Sequence, residues 1–325
     1  MRRSVASGST IVISIAAIGC ILLFLGLAKA QSSPDGSASR AVESSNTTIR
    51  VHSDLVLIPV TVTDGHGRII TGLTKEHFTL YEDKVEQVIR HFASEDTPVS
   101  IGLVFDASDS MSPRLQKARE AVYALLNSTN PEDEFFLVRF SDRADLVTGM
   151  TRDREEIRRR VASLRLGGST ALLDAVMLAR KELRRARYDR KAIVIISDGA
   201  DNSSRCSVSQ LKEAVREADV LIYAIGITEA SVPSFPNQGL NGSYLLNEIA
   251  TETGGRLFEV SKVKQLPDIA GKISAWLRSQ YVLGYAPNNP ERDGRYRRVH
   301  VKLTRPDGFP RLHALWRLGY YTPRD

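Results

Sequence analysis

The sequence predicts a doubly wound α/β protein, with a mostly parallel sheet, helices on both faces, and a flanking β-rich unit built from N- and C-terminal segments. Continuous apolar runs at 99–105 and 192–196 have the composition of parallel strands covered on both faces. Helical hydrophobic periodicity alternates with these runs, as in right-handed βαβ crossovers. On either side of this region, alternating apolar and polar residues indicate strands with one buried face.

Composition limits the class of protein. The chain has 325 residues, of which 42% are hydrophobic and 25% charged, as in ordinary globular proteins. These values exclude a wholly disordered, collagen-like or multi-span membrane protein, and 2 Cys exclude a disulfide scaffold. The chain has a net charge of +6. Its Arg-rich stretches are interleaved with acidic residues, as on solvated helix faces. We therefore expect no nucleic-acid partner.

The first 30 residues have the pattern of an export signal. Arg2 and Arg3 precede an apolar run over 11–27, and Ala28-Lys29-Ala30 fits the small-x-small cleavage pattern. The alternative is an uncleaved membrane anchor, because the run is near the lower length limit for crossing a bilayer. Either case predicts an extracytoplasmic protein, whether periplasmic, on the cell surface or secreted.

The rest of the chain divides into four segments. Residues 31–47 have the Ser-rich composition of a linker, and residues 48–97 have the pattern of a small β unit. Residues 98–265 form the predicted α/β domain, and residues 266–325 a helix followed by a C-terminal β segment. The tail strands are too few to fold alone, so we expect them to join the N-terminal β unit.

The individual elements follow from hydrophobic spacing. Predicted strands cover 56–62, short pieces within 78–92, then 99–105, 135–140, 192–196, 220–225, 257–260, 281–285, 297–303 and 312–320. Helical spacing covers 115–126, 172–183, 208–215, 245–250 and 269–277.

Oxygen-bearing side chains follow two of the buried strands. Asp106, Ser108 and Ser110 lie two residues apart after the first strand of the α/β domain, and Asp198 follows the third. Thr170 stands just before a helix, after a pair of glycines. Because ligands bind at the carboxyl ends of strands in an open parallel sheet, we expect these five side chains to converge.

This donor set predicts a hard divalent cation. Oxygen ligands without His or Cys favour Mg²⁺ or Mn²⁺, ahead of Ca²⁺, over Zn²⁺. Two carboxylates and three neutral hydroxyls do not fill the coordination shell of such an ion. Water would complete its coordination, and one position could accept a carboxylate from another molecule.

These five residues resemble the metal-ion-dependent adhesion site of von Willebrand factor type A domains in identity, order and spacing. The resemblance implies that Ser108, Ser110 and Thr170 bind the ion directly, while Asp106 and Asp198 act largely through water. It also implies a protein partner that presents Asp or Glu to the metal. The flanks around 56–92 and 281–320 resemble a bacterial subgroup of exported von Willebrand-type proteins.

The sequence therefore predicts an exported, divalent-cation-dependent protein-binding module of the adhesion type, and not an enzyme. All 6 His lie outside 98–265, so the α/β domain supplies no His for a Ser-His-Asp triad at the strand-end site. The sequence leaves two alternatives open: a metal-assisted extracytoplasmic hydrolase, and a structural envelope protein whose metal site only stabilises its own loops.

Overall fold

A computed structural model describes residues 55–218, 220–228 and 239–324. The predicted signal segment and linker lie outside these residues. Within them the strands are β1 (Val56–Thr63), β2 (Phe78–Glu82), β3 (Val85–Gln87), β4 (Ile89–Glu95), β5 (Ser100–Asp106), β6 (Glu134–Phe140), β7 (Ala144–Thr151), β8 (Lys191–Ser197), β9 (Leu221–Ile227), β10 (Leu257–Val260), β11 (Gln280–Tyr285), β12 (Tyr296–Leu303), β13 (His313–Trp316) and β14 (Gly319–Tyr321). The α-helices are α1 (Leu115–Ser128), α2 (Arg154–Ser163), α3 (Leu172–Glu182), α4 (Val208–Glu217), α5 (Gly239–Glu252) and α6 (Leu266–Arg278).

A six-stranded sheet in the order β10-β9-β8-β5-β6-β7 forms the centre of the α/β region. Every neighbouring pair is parallel except β6 with the edge strand β7. The buried runs on β5 and β8 thus became central strands, as predicted. The antiparallel strand β7 was missed because its residues are mostly half-buried or exposed and lack a continuous apolar run.

Helices cover both faces of this sheet, which confirms the doubly wound prediction. On one face, apolar residues of α1, α2 and α6 form a core with β5 and β8 side chains such as Leu103 and Val194. On the other face, α3, α4 and α5 pack against side chains such as Val104 and Ile195. Successive residues of one strand enter opposite cores, since side chains alternate across a sheet.

The flanking strands form two antiparallel four-stranded sheets, ordered β13-β1-β11-β4 and β14-β12-β2-β3. They share a buried core to which both ends of the chain contribute, including Val60, Leu80, Leu283 and Val301. The expectation that the tail strands join the N-terminal β unit is therefore confirmed.

One prediction about the tail was wrong. The expected single strand over 312–320 is two strands, β13 and β14, which belong to different sheets. A half-buried apolar pattern predicts that the residues form a strand. It does not show where the chain passes from one sheet to the other.

A buried carboxylate joins the two flanking segments. Glu82 on β2 is 3% exposed and accepts hydrogen bonds from Tyr285 (2.6 Å) and Tyr320 (2.7 Å). Burial, followed by the nearby Glu82 carboxylate, raises the pKa of both tyrosines, so both hydroxyls remain donors. The N-terminal strand is thus joined to the C-terminal strands through charge-assisted bonds.

Among the described helices, none combines the length and apolar character needed to cross a membrane.

Candidate functional site

The candidate site lies where the order of the central sheet reverses. The chain builds β6 and β7 on one side of β5, then β8, β9 and β10 on the other. Such a reversal leaves a crevice at the carboxyl ends of the two strands that flank it. Here those ends are Asp106 on β5 and Ser197 on β8, with Asp198 next in the chain.

Asp106 is the buried anchor of this crevice. Its side chain is fully buried, and its Oδ1 atom accepts hydrogen bonds from the Ser108 hydroxyl (2.6 Å) and backbone N–H (3.0 Å). The Ser197 hydroxyl donates to Oδ2 at 2.5 Å. Burial is the largest effect and raises the pKa of Asp106 to about 6, although these hydrogen bonds oppose it.

The two serines lead from this anchor toward solvent. Ser108 Oγ lies 3.0 Å from Ser110 Oγ; Ser108 is 1% exposed and Ser110 is exposed. Their spacing of two residues therefore places the two hydroxyls side by side, with Ser108 inside the crevice and Ser110 at its mouth.

Backbone bonds fix the Thr170 loop against the Asp106 loop. The Gly167 N–H donates to Ala107 O at 2.9 Å, and the Asp109 N–H donates to Gly168 O at 3.1 Å. Thr170 is 2% exposed, and its backbone N–H donates to Asn202 Oδ1 at 2.8 Å. Its hydroxyl makes no hydrogen bond to another described residue, so this oxygen is available to a ligand.

Asp198 completes the group at its rim. Its Oδ1 atom accepts from the Ala200 N–H at 3.2 Å. Its Oδ2 atom lies 3.2 Å from Nη1 of Arg114, which also donates to Ser110 O at 2.7 Å. The Arg114 side chain is 21% exposed, so a guanidinium group lies between the Ser110 loop and Asp198.

This arrangement fits a hard cation. Among the described residues, no group of three or more His, Cys, Asp or Glu is arranged to hold a metal. The oxygens available at this edge are the Thr170 hydroxyl and the adjacent Ser108 and Ser110 hydroxyls. A nearby cation would also favour the ionised form of Asp106, which burial disfavours.

Sequence reasoning missed several residues that shape this edge. Ser197 directly precedes Asp198, and that adjacency was an available signal. Asp201 caps α3 from a distant loop: its Oδ1 atom accepts from Leu172 N (2.8 Å) and Leu173 N (3.3 Å). Nothing local marks that cap, because the position before α3 is Ala171, which has no capping side chain.

Two further carboxylates support the loops. Asp142 accepts from the Ser169 N–H at 2.6 Å, and its carboxyl group fills the space where a Cβ at Gly168 (φ +87°) would lie. Asp174 on α3 accepts from the backbone of Arg205 (3.1 Å) and Cys206 (3.0 Å). The contact with Cys206 holds the loop that follows Asp198, so any effect of Asp174 on the site passes through that loop.

Comparison with known proteins decides the family. The model of the von Willebrand factor type A domain matches residues 100–272. The chain belongs to this family. The match spans β5 to α6 and includes all five predicted site residues, so this von Willebrand factor type A domain contains the crevice described above.

The relatives overlap this chain only in part. Heavy chain 4 of the mouse inter-alpha-trypsin inhibitor is 26% identical over 236 residues, covering 65% of this chain and 24% of its own length. A Borreliella burgdorferi protein described as uncharacterised is 28% identical over 183 residues, covering 50% of this chain and 53% of its own. This chain thus spans about a quarter to a half of the length of these curated relatives.

Solved structures show likeness at low identity. A von Willebrand factor type A protein from Catenulispora acidiphila superposes with a TM-score of 0.48 at 15% identity, covering 83% of this chain and 74% of that one. The vWF domain of the type V pili tip protein Mfa5 from Porphyromonas gingivalis gives 0.43 at 14% identity, covering 56% and 96%.

Proposed function

We propose that this von Willebrand factor type A domain protein is an exported, divalent-cation-dependent protein-binding module of the adhesion type. The observation that carries the proposal is the convergence of Asp106, Ser108, Ser110, Thr170 and Asp198 at one sheet edge. Two carboxylates and three hydroxyls form a donor set for Mg²⁺ or Mn²⁺.

Each residue has a distinct role in this proposal. The hydroxyls of Ser108, Ser110 and Thr170 would hold the ion directly, and Asp106 and Asp198 would act through water. When bound, the ion would supply an open coordination position for a carboxylate. Asp106 also orients Ser108 by accepting a hydrogen bond from its hydroxyl (2.6 Å).

The partner would present Asp or Glu at this edge. The rim contains the exposed Ser110 and the guanidinium group of Arg114, whose side chain is 21% exposed. A carboxylate arriving beside Arg114 would gain a charge-assisted hydrogen bond. The rim therefore favours an acidic partner over a neutral one.

The first test measures metal binding by isothermal titration calorimetry on the full chain. We expect Mg²⁺ to bind the wild type, and Asp106→Ala to lose the binding heat. Asp109→Ala is the matched control, because Asp109 is exposed on the same loop and outside the proposed ligand set. Equal Mg²⁺ binding by wild type and Asp106→Ala would refute the metal assignment.

The second test concerns the partner. The full chain would be used as bait on envelope extract from its source organism in Mg²⁺, in EDTA, and as Asp106→Ala in Mg²⁺. We expect a protein retained only by the wild type in Mg²⁺, and lost when its acidic residues are replaced by amides. Metal-dependent stability without such a partner would favour the purely structural alternative. Ester or phosphoester turnover abolished by Asp106→Ala would favour the hydrolase.

The proposed export has its own measurement. Intact mass of the mature protein recovered from its source organism would show whether residues 1–30 are removed at Ala30. Loss of that segment, together with recovery outside the cytoplasm, is the expected result. Retention of residues 1–30 in a membrane fraction would support the anchor, and a cytoplasmic protein of full mass would contradict export.

A further inference from the structure

A large cleft lies away from the proposed metal site. It encloses about 1030 Å³ between strands β2 and β12 and the ends of α4 and α5. Arg216 and Glu252 line it from the last turns of those helices. Since α4 leads from the carboxyl end of β8 back to the start of β9, its end lies at the sheet edge opposite Asp106. The cleft is therefore a separate feature.

Aromatic rings form one wall of the cleft. His300 on β12 pairs with Tyr81 on β2, and their ring centroids are 6.3 Å apart. Tyr296 contributes a third ring, which packs 5.1 Å from Tyr321 and lies 5.2 Å below the Arg216 guanidinium group. Aromatic faces carry negative partial charge and attract C–H groups, so this wall suits a flat, C–H-rich ring.

Some charged side chains of the cleft have an ion-pair or hydrogen-bond partner, and others do not. The Glu252 carboxylate is bound by Arg216 at 2.9 Å. The Asp83 carboxylate accepts the backbone N–H of Arg298 at 2.9 Å. The side chains of Lys84 and Arg298 are exposed and have no ion-pair partner among the described residues. Three basic and two acidic side chains line the cleft, so its lining has a net charge of +1, which favours an anionic ligand.

Backbone conformation singles out Lys84. Asp83 (φ 47°) and Lys84 (φ 71°) both have positive φ in the two-residue turn between β2 and β3. Such turns favour Asn or Asp followed by Gly, and a lysine in this conformation is strained. The sequence therefore has a long cation at a position where glycine would be more stable, at the lip of the cleft.

We propose that this cleft binds an acidic saccharide, with a sugar ring against Tyr81 and His300 and a carboxylate against Lys84 and Arg298. A peptide docking as an added strand would need an open strand edge. The wall of the cleft is instead a strand face, because β2 is already paired with β12 and with β3. Ring faces next to free cations match a pyranose with a carboxylate.

The test is calorimetric titration of the full chain, in EDTA, with tetragalacturonate and with tetraglucuronate. EDTA separates this site from the metal proposal, so either can fail alone. We expect at least one acid to bind and its neutral methyl ester to bind at least tenfold more weakly. Arg298→Ala should weaken binding about tenfold, the effect of one lost charge-assisted bond.

Lys84→Gly gives the sharpest result. We expect about tenfold weaker binding together with an unchanged or higher melting temperature, since glycine relieves the strained turn. The matched control is Lys302→Ala: Lys302 lies on the same face of β12 two residues beyond His300, outside the cleft, and should bind like the wild type.

Several results would overturn the proposal. These are failure of both acids to bind the wild type, equal binding of the methyl ester, wild-type affinity in Lys84→Gly, or equal loss in Lys302→Ala. Preferential binding of hexaglutamate or of an eight-residue thymidine oligonucleotide would reassign the cleft to an acidic peptide or to a nucleic acid.

Discussion

Replacing Asp106 by Asn should have opposite effects on stability and on metal binding. In the metal-free protein the buried Asp106 carboxyl has a pKa of about 6, above its ordinary value of 3.8. An acid whose pKa is raised by folding is neutral in both states at low pH, and destabilises the folded state once it ionises. The wild type in EDTA should therefore lose stability between about pH 4 and pH 6 and then level off.

The magnitude follows from the size of the shift. About two pKa units correspond to about 3 kcal/mol between the ionised and neutral forms. An asparagine can still accept from Ser108 through its oxygen and donate to Ser197 through its amide. These neutral bonds are weaker than those to a carboxylate, so we expect Asp106→Asn to gain about 1–2 kcal/mol at pH 7 in EDTA. That gain corresponds to a melting temperature roughly 5 °C higher.

The assay is urea unfolding at pH 5 and pH 7, with EDTA or Mg²⁺, followed by tryptophan fluorescence. In Mg²⁺ the wild type should gain about 2.7 kcal/mol at a hundredfold excess over Kd, and Asp106→Asn should gain nothing. Asp109→Asn is the control because it removes an exposed charge from the same loop. The reasoning is refuted if Asp106→Asn is less stable than the wild type at pH 7 in EDTA, or if Mg²⁺ stabilises both equally.

Three other substitutions test packing and charge. Tyr320→Phe removes a hydrogen bond to the buried Glu82 carboxylate and should lower the free energy of unfolding by about 1.5–3 kcal/mol in urea titrations. Gly102→Ala places a Cβ against the Phe136 ring on the neighbouring strand and should cost about 1–3 kcal/mol in the same assay, partly restored by Phe136→Leu. Arg114→Gln removes a positive charge from the rim and should tighten Mg²⁺ binding about twofold to fivefold by calorimetry.

Each of these has a control or a contradicting outcome. Tyr244→Phe alters an exposed tyrosine and should leave stability unchanged. An equal loss of stability in Tyr244→Phe would mean that the effect of Tyr320→Phe does not come from its hydrogen bond to Glu82. Wild-type stability in Gly102→Ala would show that the strands can shift apart. Weaker Mg²⁺ binding in Arg114→Gln would mean that the guanidinium group positions Asp198 more than it repels the ion.

The family match covers all five residues of the proposed site. The five predicted residues come together because Asp106 and Asp198 follow adjacent parallel strands, β5 and β8, and because the Thr170 loop bonds to the backbone between Ala107 and Asp109. Metal binding and sugar binding are independent proposals. The first lies at the carboxyl ends of β5 and β8, and the second between the flanking strands β2 and β12 and the ends of α4 and α5.

The sequence by itself determined the α/β class, the central strands and the convergence of the five oxygen donors. These features depend on local hydrophobic period and on a general property of parallel sheets, which brings the carboxyl ends of neighbouring strands to one edge. Asp106, Ser108 and Ser110 are also neighbours in the chain, so their proximity needed no knowledge of distant contacts.

Only the tertiary structure decided the contacts between residues that are distant in the chain. It divided the tail strands between two sheets, placed Arg114 on Asp198 across 84 residues, and made Asp201 the cap of α3. It also formed the cleft by bringing Tyr81 and His300 onto one strand face opposite Arg216. Such contacts depend on how the layers pack against one another. Neither the order of the strands nor the reach of a side chain across layers produces a periodic pattern in the sequence.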